Sequence, residues 1–146
     1  MRIVKKIKNI FDSYELKSKK SYLKNVYSVA LADGQLANEE FELLLNVADK
    51  LYLNEEVVQE IIHYAEDVPF INPKHDREKL DQIYDCIFMS LIDGEINDKE
   101  IGLCKLIAVK FGFRPNIVDK IMTDIFNSII QGNEREKTIK NIDNKL

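Results

Sequence analysis

The chain has 146 residues, of which 45% are hydrophobic and 32% are charged, and its formal net charge is −4. This length fits one domain, and the composition is typical of a folded globular protein rather than a disordered chain. No apolar run approaches the ~20 residues of a membrane-spanning helix, and the first residues do not resemble a secretory signal, so a cytoplasmic protein is expected.

The charge is distributed unevenly along the chain. Residues 1–24 carry +6 (eight basic, two acidic), residues 25–100 carry −13 (five basic, eighteen acidic) and residues 101–146 carry +3 (eight basic, five acidic). Nucleic-acid binding needs a concentrated basic face, so the acidic centre argues against a nucleic-acid partner. It is compatible with a bound cation or with a basic protein partner.

The first residues predict an amphipathic helix within residues 1–20. One face of this helix carries Ile3, Ile7, Ile10, Phe11 and Tyr14, and lysines lie opposite. Such a helix docks its apolar face on the rest of the domain, which is the ordinary outcome, or lies weakly on an anionic membrane surface. Residues 18–20 are predicted to form a short polar joint, and the next helix is predicted to begin near Ser21.

The main feature of the sequence is an internal repeat. Residues 26–62 recur without a gap at residues 86–122, and the difference between Asp93 and Asp33 gives an offset of 60. The identical pairs include Leu31/Leu91, Asp33/Asp93, Gly34/Gly94, Glu40/Glu100, Leu43/Leu103, Lys50/Lys110 and Ile61/Ile121. Such a match predicts a duplicated helical unit whose two halves pack on each other. The residues expected to be buried are Leu31, Leu44, Ile61, Leu91, Leu103 and Ile121.

The expected fold class is all-α, because no segment shows the alternating pattern of a strand. The pattern predicts a single domain, a bundle of about seven to eight helices. Repeat 1 occupies residues 21–67, a linker loop residues 68–75, repeat 2 residues 76–132 and a C-terminal helix residues 133–146.

Turn and cap residues mark the helix ends within each repeat. Gly34 and Gly94 are placed to end the first helix of each copy, which is expected to run to the preceding Asp. Asn54 and Asn97 are placed to cap later helices, and Glu100 completes a capping box with Asn97.

The two Asp-Gly turns are the best candidate site. Each has Asp, then Gly, an apolar residue at +3 and Glu at +7, as in the second half of an EF-hand loop. Apolar residues stand two and four positions before each Asp, where a calcium loop needs oxygen ligands, so an EF-hand is excluded.

The two aspartates nevertheless need a compensating partner, because the helix dipole disfavours a carboxylate at a helix C-terminus. In one interpretation each Asp accepts hydrogen bonds from backbone N–H groups at the start of the following helix. In the other, Asp33, Glu40, Asp93 and Glu100 together hold a divalent cation. Carboxylate ligands without Cys suit Ca²⁺, Mg²⁺ or Mn²⁺.

The other reactive side chains predict no catalytic site. Cys86 and Cys104 lie on apolar helix faces and are expected to be buried, reduced thiols. His63 shares a helix face with several acids but lacks the further ligands of a zinc site, and His75 lies in the proline loop. Asp81 and Asp85 are expected on an exposed helix face. No nucleophile motif and no phosphate-binding glycine cluster is present in the sequence.

The residues of the turns resemble a known family. Residues 30–34, reading Ala-Leu-Ala-Asp-Gly, and residues 91–96, reading Leu-Ile-Asp-Gly-Glu-Ile, are similar to the turns of the tellurite-resistance TerB-like domain. The helix ends at residues 48–53 and 108–113 match that family too, which also occurs at the N-terminus of DjlA-type membrane co-chaperones. The resemblance covers roughly residues 20–130. The chain departs from the family pattern at Ala37, where Ser or Asp would be expected.

The resemblance implies a pseudosymmetric helical bundle in the cytoplasm with a non-enzymatic role in metal or stress response. The ion site proposed for the family maps onto Asp33, Glu40, Asp93 and Glu100. Without a J-domain or a membrane segment, a co-chaperone role is not expected. We therefore expect a module that binds a protein partner, or alternatively a protein that binds a divalent cation, rather than an enzyme.

Overall fold

The computed structural model describes residues 12–146, which contain seven α-helices, one 3₁₀-helix and no strand. The helices are α1 (Tyr14–Ala30), α2 (Asn38–Lys50), α3 (Glu55–Tyr64), α4 (Asp76–Leu91), α5 (Asp98–Lys110), α6 (Pro115–Ile130) and α7 (Arg135–Lys145), with the 3₁₀-helix at Ala65–Asp67. The all-α prediction is confirmed, and the helices pack as one bundle around a common core. None of the described helices is both long and apolar enough to cross a membrane.

The duplication is visible in the helix boundaries. Helices α2 and α5 both have 13 residues, and adding 60 to the ends of α2 gives the ends of α5. Helices α3 and α6 begin at equivalent positions, Glu55 and Pro115. An Asp-Gly turn precedes both α2 and α5. The first helices of the two repeats, α1 and α4, pack against each other. The predicted packing of the two cores on each other is therefore observed.

The start of α1 corrects the prediction of a joint at residues 18–20. The helix begins at Tyr14, where the Ser13 side chain accepts a hydrogen bond from the Leu16 N–H at 3.1 Å, and it runs through the joint without a break. Lys20 is buried because its ammonium contacts Asp12 at 2.6 Å and Glu60 at 2.7 Å. The predicted amphipathic helix before Tyr14 lies outside the described residues apart from its end.

The predicted core is only partly correct. Leu44, Ile61 and Ile121 are buried, whereas Leu31 is 38% exposed and Leu91 and Leu103 are half-buried. Leu31 follows the last residue of α1, so the helix ends three residues earlier than expected and the chain turns away from the core there. Helix α4 likewise ends at Leu91 rather than at Asp93.

A polar cluster lies at the centre of the bundle, and it corrects the expectation that Asp85 is solvent-exposed. Asp85 is 6% exposed, and its Oδ2 accepts hydrogen bonds from the Tyr22 hydroxyl and from Lys50 Nζ at 2.5 Å. Arg135 donates to both carboxylate oxygens of Asp85 and, at 3.1 Å, to Asp81. The guanidinium also lies over the Tyr84 ring, 4.7 Å from its centroid.

This cluster joins both repeats to the C-terminal helix, since its members lie on α1, α2, α4 and α7. Burial disfavours the charged form of Asp85, but the hydrogen bonds and charges of Arg135 and Lys50 outweigh it and lower its pKa. Asp85 is therefore a paired, ionised carboxylate inside the protein.

The equivalent position in repeat 1 is uncharged. The residue that corresponds to Asp85 is Asn25, and its amide donates to Gln82, the counterpart of Tyr22, at 3.1 Å. Lys110, the counterpart of Lys50, lies over the Phe70 ring at 4.1 Å instead of on a carboxylate. Repeat 1 therefore has no counterpart of the carboxylate that binds Arg135 of the C-terminal helix.

We expect Asp85→Asn to lower the free energy of unfolding by about 2–3 kcal/mol, because Arg135 and Lys50 lose the anion between them. Urea unfolding measures this change. The control is Asp119→Asn, which removes an exposed ion pair with Lys105 at 3.4 Å and should cost less than about 1 kcal/mol. Equal costs for the two variants would contradict the central role of Asp85.

Candidate site at the paired acidic turns

The turns between the first two helices of each repeat have the same local structure. Gly34 and Gly94 have φ angles of +95° and +81°, a left-handed conformation that glycine adopts without steric cost. Asp33 Oδ1 accepts a hydrogen bond from the Gln35 N–H at 3.0 Å, and Asp93 Oδ1 accepts one from Glu95 at 2.9 Å. Each aspartate therefore closes a turn around its glycine rather than capping the following helix. That helix begins three residues after the N–H donor, at Asn38 in repeat 1 and at Asp98 in repeat 2.

The caps of α2 and α5 each use one half of a capping box. In repeat 1, where Ala37 has no polar side chain, Glu40 Oε1 accepts a hydrogen bond from the Ala37 N–H at 2.9 Å. In repeat 2, Asn97 Oδ1 accepts hydrogen bonds from the N–H groups of Lys99 and Glu100. The Asn97 cap is confirmed. The Glu100 side chain is directed toward the other repeat instead.

The four predicted site residues come together, although they belong to two separate turns. Glu40 and Glu100 are 3% and 2% exposed, and their carboxyl groups lie close enough for the two to affect each other's pKa. Asp33 and Asp93 are exposed, yet the charges of both act on the two glutamates. The pseudosymmetry of the chain thus places two buried carboxyl groups between two exposed aspartates.

The electrostatics of this acidic cluster (Asp33, Glu40, Asp93 and Glu100) favour a neutral carboxyl group. Burial, followed by the negative charges of Glu40, Asp33 and Asp93, raises the pKa of Glu100 to about 7. Burial raises the pKa of Glu40 as well, and the charges of Asp33 and Asp93 act in the same direction, so the buried pair favours a bound proton. Two carboxylates this close repel each other when both are ionised. A proton on one of them, or a cation between them, removes that repulsion.

The present geometry accommodates a proton more directly than a metal ion. Over residues 12–146, no three or more His, Cys, Asp or Glu side chains form a group that could hold a metal ion as they stand. One oxygen of each aspartate is already engaged by its own turn. A divalent cation would therefore require the aspartates or glutamates to rotate toward a common centre. The metal site remains a prediction.

The other reactive side chains play no part in this cluster. His63 and His75 are both exposed. Cys86 and Cys104 are buried and free, as expected, and burial raises the pKa of both thiols, that of Cys104 to about 12. A thiol with such a pKa is a poor nucleophile at neutral pH.

Sequence reasoning missed the polar cluster around Asp85. One signal was available, because Asp85 is spaced four residues before Met89 and therefore shares its buried helix face. The partners of Asp85 lie 63 residues away at Tyr22 and 50 residues away at Arg135. The local hydrophobic pattern of a helix does not indicate contacts at such a separation.

Comparisons with models of protein families, with curated proteins and with solved structures return no match to this chain. The resemblance to the TerB-like domain therefore rests on the residues of the turns and of the helix ends alone.

We expect the stability of the protein to fall as the pH rises from about 4.5 to about 7. Glu100 binds its proton more tightly in the folded state than in the unfolded state, where its ordinary pKa is 4.5, so deprotonation opposes folding. Glu100→Gln removes this titration but keeps a neutral side chain of the same size. Between about pH 5 and pH 8, the wild type should lose about 1–3 kcal/mol relative to this variant.

Denaturant unfolding at several pH values, without divalent cations, measures the difference. Glu95→Gln is the control, because Glu95 lies exposed in the same turn. If the wild type and Glu100→Gln depend on pH in the same way, Glu100 does not hold the proton.

Proposed function

We propose that this chain is a non-enzymatic protein-interaction module, an adaptor of the TerB-like kind that works in the cytoplasm in the response to tellurite or envelope stress. The stress setting follows from the resemblance of the turns. The role as an interaction module is supported by one observation, the difference between the outer faces of α2 and α5.

These two helices are duplicates, yet only α5 exposes apolar side chains. Leu106 is 55% exposed and Val109 is 42% exposed, and their counterparts on α2 are the polar residues Asn46 and Asp49. One turn before Leu106, Gly102 replaces Glu42, and nothing lies within 4 Å of the position of a Cβ there. At these three positions α5 therefore exposes a glycine and two apolar side chains where α2 exposes polar ones.

About half of each of these two side chains remains in contact with solvent, so this part of their apolar surface is not used by the core. Exposed apolar area costs roughly 25 cal/mol per Å² relative to burial, so a contiguous exposed patch is typical of an interaction site. The spacing of positions 102, 106 and 109 puts them on one stripe of the helix. A partner that packs along this stripe would bury both apolar side chains against the open glycine.

A double variant tests this proposal. Leu106→Asp with Val109→Asp should leave the melting temperature nearly unchanged, because both positions are exposed, but should remove the protein from its native complexes. Chemical cross-linking in the cells of origin, followed by purification of this chain, measures the partner bound. Asn46→Asp at the equivalent place on α2 is the control and should retain the partner. The same complexes in all three proteins would refute the proposal, as would turnover that depends on Asp33 or Asp93.

A second candidate function is the binding of a divalent cation, favoured by the buried pair of Glu40 and Glu100. A Ca²⁺, Mg²⁺ or Mn²⁺ ion would replace the proton shared by the pair, and carboxylate oxygens are the ligands that these ions take. Asp33 and Asp93 are close enough to act on the same pair, so they would complete the ligand set after rotation of their side chains.

Thermal unfolding of chelator-treated protein against Ca²⁺, Mg²⁺, Mn²⁺ and Zn²⁺ tests the second function. At a hundred times its dissociation constant, a bound ion should add roughly 2.7 kcal/mol of stability. The gain should grow with pH, because the ion competes with the proton on Glu100, and it should vanish in the double variant Asp33→Asn/Asp93→Asn. If no ion raises the melting temperature, the aspartates only close their turns.

A further inference from the structure

A second apolar surface lies between α5 and α6, apart from the outer stripe of α5. It is a groove of ≈450 Å³ lined by Ile87, Ile96, Ile101, Met122 and Phe126, with polar side chains at its rim. Ile87 and Met122 are buried beneath it, and Ile96 is 66% exposed at its edge. A volume of this size takes several apolar side chains.

Repeat 1 shows how the equivalent place is filled. The counterpart of Ile87 is Tyr27, which is 7% exposed and reaches from α1 to α3, where its hydroxyl donates to the Ile62 carbonyl at 3.3 Å. Ile62 corresponds to Met122, a residue of the groove. The shorter Ile87 cannot span the same gap, so the groove in repeat 2 is open where an aromatic ring closes it in repeat 1.

The backbone carbonyl groups of Ile62 and Met122 differ in whether they need a hydrogen-bond donor from a neighbouring side chain. Ile62 lies in the last turn of α3, so its carbonyl has no intrahelical partner and needs the Tyr27 hydroxyl. Met122 lies in the middle of α6, where its carbonyl accepts from the helix itself. The groove thus needs no hydroxyl donor, and an apolar side chain is the matching occupant.

The edge of the groove is acidic. Ile96 stands in the turn between α4 and α5 with exposed Asp93, Glu95 and Asp98 on both sides of it, and Asp98 also lines the groove. At the opposite rim Asp119 is already paired with Lys105, at 3.4 Å. Among the described residues the three acidic side chains beside Ile96 outnumber the exposed Lys99, so the net charge there is negative and would attract basic residues that flank an apolar side chain.

We propose that this groove binds a basic amphipathic helix of a protein partner, with the apolar stripe of that helix against Ile96, Met122 and Phe126. A groove between two packed helices matches the width of a third helix, whose side chains at i, i+3, i+4 and i+7 enter it together. Its Lys or Arg residues would lie against Asp93, Glu95 and Asp98. This inference rests on the proposed function as an interaction module, and it names the partner and a second contact surface.

The probe is a synthetic helical peptide of roughly 15 residues with a stripe of Leu and otherwise Lys, titrated by fluorescence anisotropy. The same peptide with Glu in place of Lys, and a scrambled Lys/Leu peptide, test charge and pattern. We expect binding of the patterned Lys peptide only, weakened by salt because exposed charges contribute to it. Binding of all three peptides alike, or of none, would overturn the inference.

Two variants locate the binding. Ile96→Asp changes an exposed position and should weaken binding at least about tenfold without loss of stability. Ile87→Phe should fill the groove from within, as Tyr27 does in repeat 1, and should also abolish binding. The control is Ile130→Asp, which alters an equally exposed side chain (65%) outside the groove. Equal affinity of Ile96→Asp and the wild type would overturn the assignment to this groove.

The result is separable from that of the proposed function. If the Lys peptide does not bind but Leu106→Asp/Val109→Asp still removes a native partner, the groove inference fails and the interaction module stands. If the peptide binds the groove and no native complex depends on α5, the proposed use of the outer face fails instead.

Discussion

One buried carboxylate, that of Asp85, is the constraint on which the arrangement of the bundle depends. A buried charge is tolerated only where donors surround it, and Asp85 receives donors from three other helices through Tyr22, Lys50 and Arg135. A shift of any one of these helices would remove one of the donors from the buried carboxylate. Apolar contacts are non-directional and do not define such a register. The polar cluster therefore fixes how the two repeats and α7 meet, while the apolar core supplies most of the stability.

In the acidic cluster, burial is compensated by protonation of a carboxyl group rather than by donors that surround an ionised one. Glu40 and Glu100 are at least as buried as Asp85, but the charges that act on Glu100 are all negative. The pKa of Asp85 is accordingly lowered, whereas that of Glu100 is raised to about 7. The centre of the bundle keeps its charge over the neutral range, and the end where the Asp-Gly turns meet can change its charge there. This contrast makes the turns, rather than the larger central cluster, the place where a proton or a cation would be exchanged.

The repeat allowed most of the fold to be predicted from sequence. The cap residues Asn54 and Asn97 correctly located the starts of α3 and α5, since capping signals are local. Lys20 was assigned to a polar joint and Asp85 to an exposed helix face, because the burial of a charge depends on partners far away in the chain. At the candidate site, one of the two interpretations of the sequence brought Asp33, Glu40, Asp93 and Glu100 together, and their charges do act on one another in the structure. That interpretation did not predict the burial of Glu40 and Glu100, which depends on how closely the two helix starts approach.

The differences between the repeats carry more information about function than their similarities. The shared positions are mostly core and turn residues, which any copy of the unit needs in order to fold. At four paired positions repeat 2 instead gains exposed apolar surface or loses a side chain that would fill a groove: Leu36/Ile96, Asn46/Leu106, Asp49/Val109 and Tyr27/Ile87. Repeat 1 also exposes apolar side chains, Leu31 at 38% and Tyr52 at 90%, but neither lies on α2. The difference between the copies that bears on the proposed function is therefore the apolar exposure of α5 relative to α2.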